Sequence, residues 1–188
     1  GSVCDRRPTQ LDGSPSAPNP HLFARMTSPA SSMFDLAGQT AVITGGAGVL
    51  GAEMGRALAL AGANVALLDI GEQALDTASV RLAGEGLDVL TVVCDVLDRS
   101  SVQRSCDRVL ERFGRLDILI NGAGGNHPKA TTSPDLSFFD LPPEAVEKVF
   151  DLNFQGTLLP CQIYGAVFAE QKAGCVLNVS SMNAFTPL

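Results

Sequence analysis

A chain of 188 residues with 45% hydrophobic and 18% charged side chains is long enough for one domain with a substantial core, and too apolar to be disordered throughout. Its net charge of −7 and pI near 4.7 argue against a general binder of phosphate backbones, because such proteins gather Lys and Arg against the phosphates and no such cluster occurs. Gly, Asn, Asp and Arg break every apolar run short of the roughly 20 residues needed to cross a bilayer, so a soluble, cytoplasmic protein without a nucleic-acid or membrane partner is expected.

Residues 1–33 are rich in Pro, Ser, Asn and Asp and lack apolar periodicity. Such a segment cannot bury enough surface to offset its ordering entropy, and a disordered leader is expected there. It has no long apolar core for a secretory signal, and Asp5 and Asp12 count against a transit peptide.

From Gln39 onward, short β-branched runs alternate with segments of helical period, the pattern of repeated βαβ units and a parallel sheet. The runs predict strands at Thr40–Thr44, Asn64–Asp69, Val89–Asp95, Leu116–Asn121 and Cys175–Ser180. Between them Leu50, Met54 and Leu58 share one helical face, as do Leu75, Ala78 and Leu82, and likewise Val102, Cys106, Val109 and Phe113. Residues 124–143 break the rhythm with Gly, Asn, Thr, Ser and Pro and predict a long loop. Pro143 suits the first turn of a helix reaching about Leu152. Residues 153–172 continue helical, with Phe154, Leu158, Ile163, Val167 and Phe168 apolar enough to be buried, in part against another subunit.

The five cysteines, Cys4, Cys94, Cys106, Cys161 and Cys175, form an odd set without a C-x-x-C pair. Neither a disulfide framework nor a metal site is expected, and the thiols read as reduced and mostly buried.

The chemistry-bearing residues start where the first strand ends. Thr44-Gly45-Gly46-Ala47-Gly48-Val49-Leu50-Gly51 contains G-x-G-x-x-G as Gly46, Gly48 and Gly51 at a strand-to-helix turn. Glycines there allow a tight turn and close backbone approach, and the helix amino end offers free N–H groups to a pyrophosphate. A turn without a ligand is the bland alternative. Asp69 ends the second strand near the spacing at which a carboxylate accepts bonds from the ribose of a dinucleotide, about 20 residues on. A carboxylate there would repel a 2′-phosphate, so NAD is expected over NADP, unless Asp69 merely caps the next helix.

Several motifs in order from about Phe34 to the end resemble those of the short-chain dehydrogenase/reductase family. The resemblance implies that Gly45, Gly46, Gly48, Leu50 and Gly51 hold pyrophosphate, that Asp69 and Ile70 border the adenosine, and that Asp95-Val96 borders the adenine. Asn121-Gly122-Ala123-Gly124 resembles the family's Asn-Asn-Ala-Gly, with Gly122 in place of the second Asn. Asn153 matches the asparagine implied to hold a water in the proton relay, and Ser181, in Asn178-Val179-Ser180-Ser181, matches the catalytic serine. Independently of any family, a hydroxyl at a strand's carboxyl end can hydrogen-bond a substrate oxygen, although a turn serine is the plain alternative.

Two departures stand out: Val49 occupies the place of a family glycine, and the family's Tyr-x-x-x-Lys is absent. The sole tyrosine, Tyr164, precedes Ser181 and has Phe168 where the lysine would be. The resemblance implies that the pair lies shortly past Leu188. On that reading residues 34–188 form a partial NAD(P)-binding domain, an α/β Rossmann-type doubly wound parallel sheet incomplete at its carboxyl-terminal side, and the chain binds cofactor better than it catalyses.

The loop Gly124-Gly125-Asn126-His127-Pro128-Lys129, with Phe138-Phe139-Asp140-Leu141 and Ser181-Met182-Asn183, resembles the D-mannonate oxidoreductase, or fructuronate reductase, branch. This implies hydride exchange between NAD and a small-molecule substrate, a sugar acid or polyol, in a homo-oligomer. Lys129 can pair with a carboxylate and Asn126, His127 and Asn183 can hydrogen-bond hydroxyls, whereas a solvated loop explains His127 and Lys129 equally well. A noncatalytic NAD-binding regulatory or interaction module, and a remnant unable to fold alone, stay open beside the dehydrogenase reading.

Overall fold

The computed structural model describes residues 34–181. The chain divides into two units between Asp35 and Leu36, and all that follows concerns the second. The leader expected over residues 1–33 lies outside the described residues, as does Asn183.

Five strands, β1 (Thr40–Thr44), β2 (Asn64–Asp69), β3 (Val89–Val93), β4 (Ile118–Asn121) and β5 (Cys175–Asn178), form one parallel sheet in the order β3-β2-β1-β4-β5. Each predicted strand is present; the last three are shorter than their apolar runs because pairing stops at Val93, starts at Ile118 and stops at Asn178. The helices are α1 (Val49–Leu60), α2 (Glu72–Gly84), α3 (Arg99–Phe113), α4 (Pro143–Phe150) and α5 (Gly156–Gln171). A single π turn, Asp151–Gln155, joins α4 to α5.

Alternation along each strand divides the core into two layers. Ile43, Val65, Leu67 and Ile120 meet Ala52, Leu75, Ala78 and Leu82 of α1 and α2. Val42, Ala66, Leu68 and Leu119 meet Val102, Cys106 and Val109 of α3, with Ile163, Tyr164 and Phe168 of α5. Helices on both faces of a parallel sheet make the doubly wound α/β architecture.

Two expectations need correction. Leu50 does not join Met54 and Leu58 on the core face of α1; it is exposed, and the buried positions are Gly51, Ala52 and Gly55. A Cβ at Gly55 would lie 2.7 Å from Leu67 Cδ2, so the small residues let α1 sit directly on the sheet. The helix expected over 153–172 buries Ile163 and Phe168 in the core and leaves Phe154 and Leu158 exposed in the single chain, which accords with an expectation of burial in part against another subunit. The four cysteines among the described residues are not mostly buried: Cys94 and Cys106 are, Cys161 is half-buried and Cys175 exposed. No helix among the described residues is long and apolar enough to cross a membrane.

Candidate functional site at the carboxyl edge of the sheet

β1 pairs with β2 on one side and with β4 on the other. Connections leave the two sides in opposite directions, which opens a crevice beyond the carboxyl ends of β1 and β4, the usual ligand position in such sheets.

The Gly-rich turn forms one wall. Gly45 has φ +65°, and a Cβ there would sit 2.8 Å from both Ala123 N and Gly122 O, so glycine is required where the exits of β1 and β4 meet. A Cβ on Gly51 would run into the carbonyl of Gly45, which fixes the turn against the first turn of α1. Gly48 precedes α1 without any side-chain cap. The leading amides, those of Val49, Leu50 and Gly51, therefore have no carbonyl one turn back to bond, and Val49 and Leu50 lie exposed beside them. An uncapped helix start ringed by glycines suits an anionic group such as a pyrophosphate.

Asp69 closes this wall from the end of β2. Its Oδ2 accepts the Ala47 N–H at 3.1 Å and its Oδ1 accepts the Gly71 N–H at 3.1 Å. The carboxylate thus braces the turn and the start of α2 together, and its remaining lone pairs can still take ribose hydroxyls. Ile70, next in the chain, is exposed. Asp95 is oriented by the Leu97 N–H, which donates to its Oδ1 at 2.9 Å. Val96 is buried against Gly156, so what it offers a ligand is backbone.

Asn121 plays a different part from its neighbours. Only 2% exposed, it donates from Nδ2 to Asn178 Oδ1 at 2.8 Å and to Cys161 Sγ at 3.1 Å, joining β4 to β5 and α5. Gly122 stands where the resemblance expects a second Asn, and a Cβ there would lie 2.8 Å from the Thr44 carbonyl. The main chains of β1 and β4 come closer here than a larger residue allows. Thr44, not singled out from the sequence, makes that approach: its buried Oγ1 accepts the N–H groups of Gly122 and Ala123, each at 3.2 Å. The only signal was a threonine just before the glycines.

The opposite wall is the loop after β4. Asn153, in the π turn, accepts the Gly125 N–H on Oδ1 at 3.2 Å and donates from Nδ2 to Gly125 O at 2.7 Å and Val149 O at 2.8 Å. A π turn inserts one residue into the helical ladder, and such insertions concentrate at functional sites. Asn126, His127 and Lys129 follow, with Pro128–Ala130 forming a 3-10 turn and His127 at its amino end. Ser181 lies exposed just past β5.

Tyr164 sits far from any acid/base role. It is fully buried and bonds Ser105 Oγ at 2.8 Å, and burial pushes its phenol well above the usual tyrosine range. Among the described residues no cluster of three or more His, Cys, Asp or Glu is placed to hold a metal.

The short chain dehydrogenase family profile matches residues 39–188. An uncharacterised oxidoreductase of Bacillus subtilis is 40% identical over 162 residues, covering 82% of this chain and 58% of its own length. D-threitol dehydrogenase of Mycolicibacterium smegmatis is 33% identical over 155 residues, covering 82% of this chain and 57% of its own. Among solved structures, a Haemophilus influenza protein proposed to be a D-mannonate oxidoreductase, with bound NAD, matches with a TM-score of 0.72 and 37% identity over 82% of this chain and 59% of that one. The chain thus spans a little under three-fifths of the length of these relatives.

Proposed function

Since the chain belongs to the short-chain dehydrogenase family, we propose that it binds NAD along the carboxyl edge of its sheet and serves the interconversion of a hydroxyl and a carbonyl on a sugar acid or polyol. The observation that carries the cofactor reading is the meeting, at Ala47, of an uncapped helix start and the Asp69 carboxylate. The amides of Leu50 and Gly51 take the pyrophosphate within the turn shaped by Gly45, Gly46 and Gly48. Asp69 and Ile70 hold the adenosine ribose, Asp95 and the Val96 backbone border the adenine, and the Asn121–Ala123 backbone lines the path toward the nicotinamide. Bound NAD supplies the hydride acceptor or donor.

On the substrate side, Ser181 hydrogen-bonds the reacting oxygen and Asn153 orders the wall facing it. Lys129 pairs with a carboxylate, and His127, Asn126 and Asn183 serve hydroxyls or their positioning. The relative proposed to be a D-mannonate oxidoreductase and the relative named for D-threitol support a sugar-acid or polyol substrate. Buried in the core, Tyr164 cannot move the proton, and the 188 residues hold no second tyrosine for that task. A homo-oligomer is assigned to the α4–α5 face, where Phe150 and Phe154 stack at 5.4 Å and stay exposed with Val146 and Leu158.

Titration of the chain with NADH and NADPH tests the cofactor reading: NADH should bind at least about tenfold more tightly, because a 2′-phosphate beside Asp69 costs a desolvated like-charge contact. Comparable or tighter NADPH binding overturns it. In the whole protein, Lys129→Met should raise KM for D-mannonate more than for D-threitol; equal effects count against the carboxylate role. Sedimentation of the whole protein as a monomer overturns the oligomer.

A further inference from the structure

The loop after β4 carries three polar side chains that the sequence leaves equivalent, and the structure separates them. Asn126 is engaged at both ends: Oδ1 accepts the His127 N–H at 2.9 Å and Nδ2 donates to Thr131 Oγ1 at 2.8 Å. The Thr131 hydroxyl donates in turn to His127 O at 3.3 Å, which also accepts the Ala130 N–H at 2.8 Å. Finally, the Lys129 N–H donates to His127 Nδ1 at 3.2 Å. These bonds close a ring over residues 126–131 with His127 at its centre.

A ring nitrogen that accepts a bond carries no proton, so the neutral imidazole keeps its proton on Nε2. His127 can then donate from Nε2 but cannot accept there, which suits an acceptor oxygen and excludes a role as base. Lys129 makes no ion pair among the described residues and adds a second donor with full charge. Two donors carried two residues apart on one short turn suit a carboxylate, which accepts at both oxygens, better than a hydroxyl, which brings a proton of its own.

We infer that Asn126 and Thr131 are positioning residues that hold His127 as an Nε2–H donor, beside the Lys129 ammonium, for the carboxylate of a sugar acid. The inference rests on the substrate site proposed above, moves His127 from the hydroxyls to the carboxylate and Asn126 from contact to support, and adds Thr131 as a new member.

Two measurements test it. The sequence has two histidines, His21 and His127, so long-range proton–nitrogen correlation spectra of the labelled protein, assigned with His127→Gln, read the tautomer directly. The Nε2–H form is expected at a pH where the ring is neutral, and the Nδ1–H form overturns the ring of bonds. In the whole protein with NAD, Thr131→Val should raise KM for D-mannonate about tenfold with kcat held within about twofold, while Thr131→Ser, which keeps the hydroxyl, restores it. D-threitol should show no such rise. Equal behaviour of the Val and Ser variants, a parallel fall in kcat, or equal effects on acid and polyol overturns the positioning role. A whole protein that binds NAD and turns over neither compound sinks the proposed function and the carboxylate assignment with it, and that failure is read separately from the tautomer.

Discussion

Asn153 pairs with both backbone groups of Gly125, accepting the N–H at 3.2 Å and donating to the carbonyl at 2.7 Å, much as a neighbouring strand would. A Cβ on Gly124 would lie 2.8 Å from the same Oδ1, so glycine is needed for the side chain to reach in. Asn153→Ala leaves these groups to water and should cost about 1 kcal/mol, since exposed hydrogen bonds contribute at the low end of their range. Amide exchange over residues 125–131 should quicken while NAD affinity stays within about twofold. Unchanged exchange would sink the idea that the π turn holds the loop.

Asp69→Asn separates bracing from recognition. The amide keeps one acceptor oxygen for Ala47 or Gly71 and turns an NH2 toward the other, so the turn loses a charge-assisted bond worth about 1.5–3 kcal/mol. NADH should bind about tenfold more weakly and the preference over NADPH should narrow. A fluorescence titration in which both weaken equally would leave Asp69 as a structural brace only.

Removing the Tyr164 hydroxyl tests the core. Ser105 already donates to Val102 O at 2.7 Å, so the phenol is the donor in the 2.8 Å bond between Tyr164 and Ser105. Tyr164→Phe should lower stability by about 1 kcal/mol and leave NAD binding untouched. The folded phenol titrates above its unfolded value of about 10, so its contribution is complete below that pH and fades as pH rises toward the folded value. Tyrosinate absorbance should therefore appear together with alkaline unfolding; earlier ionisation would show the hydroxyl to be accessible.

The thiols should alkylate in order of exposure. Cys175 reacts first among the four described, then half-buried Cys161. Cys94 and Cys106 should resist until unfolding, because burial raises both thiols, Cys106 to about 11, and the thiolate is the nucleophile. Peptide mapping after a short pulse of iodoacetamide checks the order, and early labelling of Cys106 would contradict the packing of α3.

Asp117 ties the start of β4 to β1, accepting the Thr40 N–H at 2.8 Å on the oxygen that also takes Arg115 Nε at 2.9 Å. The guanidinium holds its carboxyl below the usual range. A depressed folded value means the stabilisation is present above the unfolded pKa of about 3.9 and is lost as pH falls through the folded one. Asp117→Asn should destabilise by about 1–2 kcal/mol at neutral pH, with the gap to the unaltered protein closing below about pH 4. A constant gap in denaturant melts across that window would assign the effect to packing.

Much of the sheet was legible because β-branched runs and the 3.6-residue period both survive in the sequence: Leu75, Ala78 and Leu82 are buried as their spacing requires, and so are Val102, Cys106 and Val109. Leu50 was misread because hydrophobicity does not register a face made of Gly51, Ala52 and Gly55, whose value lies in their small size. Which of Phe154, Leu158, Ile163 and Phe168 face the core was not legible, because an apolar stripe looks the same whether a core or another surface covers it. The π turn was hidden in an apparently continuous helical pattern, since one inserted residue barely disturbs periodicity. The Gly-rich turn and Asp69 were visible as a spacing, yet their bond through Ala47 belongs to a sequence separation of 22 residues that no local pattern reveals.

The seating of α1 has a consequence for the thermodynamics of association. With Gly51, Ala52 and Gly55 buried against the sheet and the Gly45 carbonyl lodged under Gly51, the amides at the start of α1 are immobilised by the core itself. Their conformational freedom is surrendered during folding, so a dinucleotide meets a preorganised surface and loses little of its binding energy to ordering it. Ala at Gly55 would press on the tip of the Leu67 side chain, which can turn aside, whereas Ala at Gly51 would meet the Gly45 carbonyl itself, push the first turn of α1 away and return that entropy loss to the binding step.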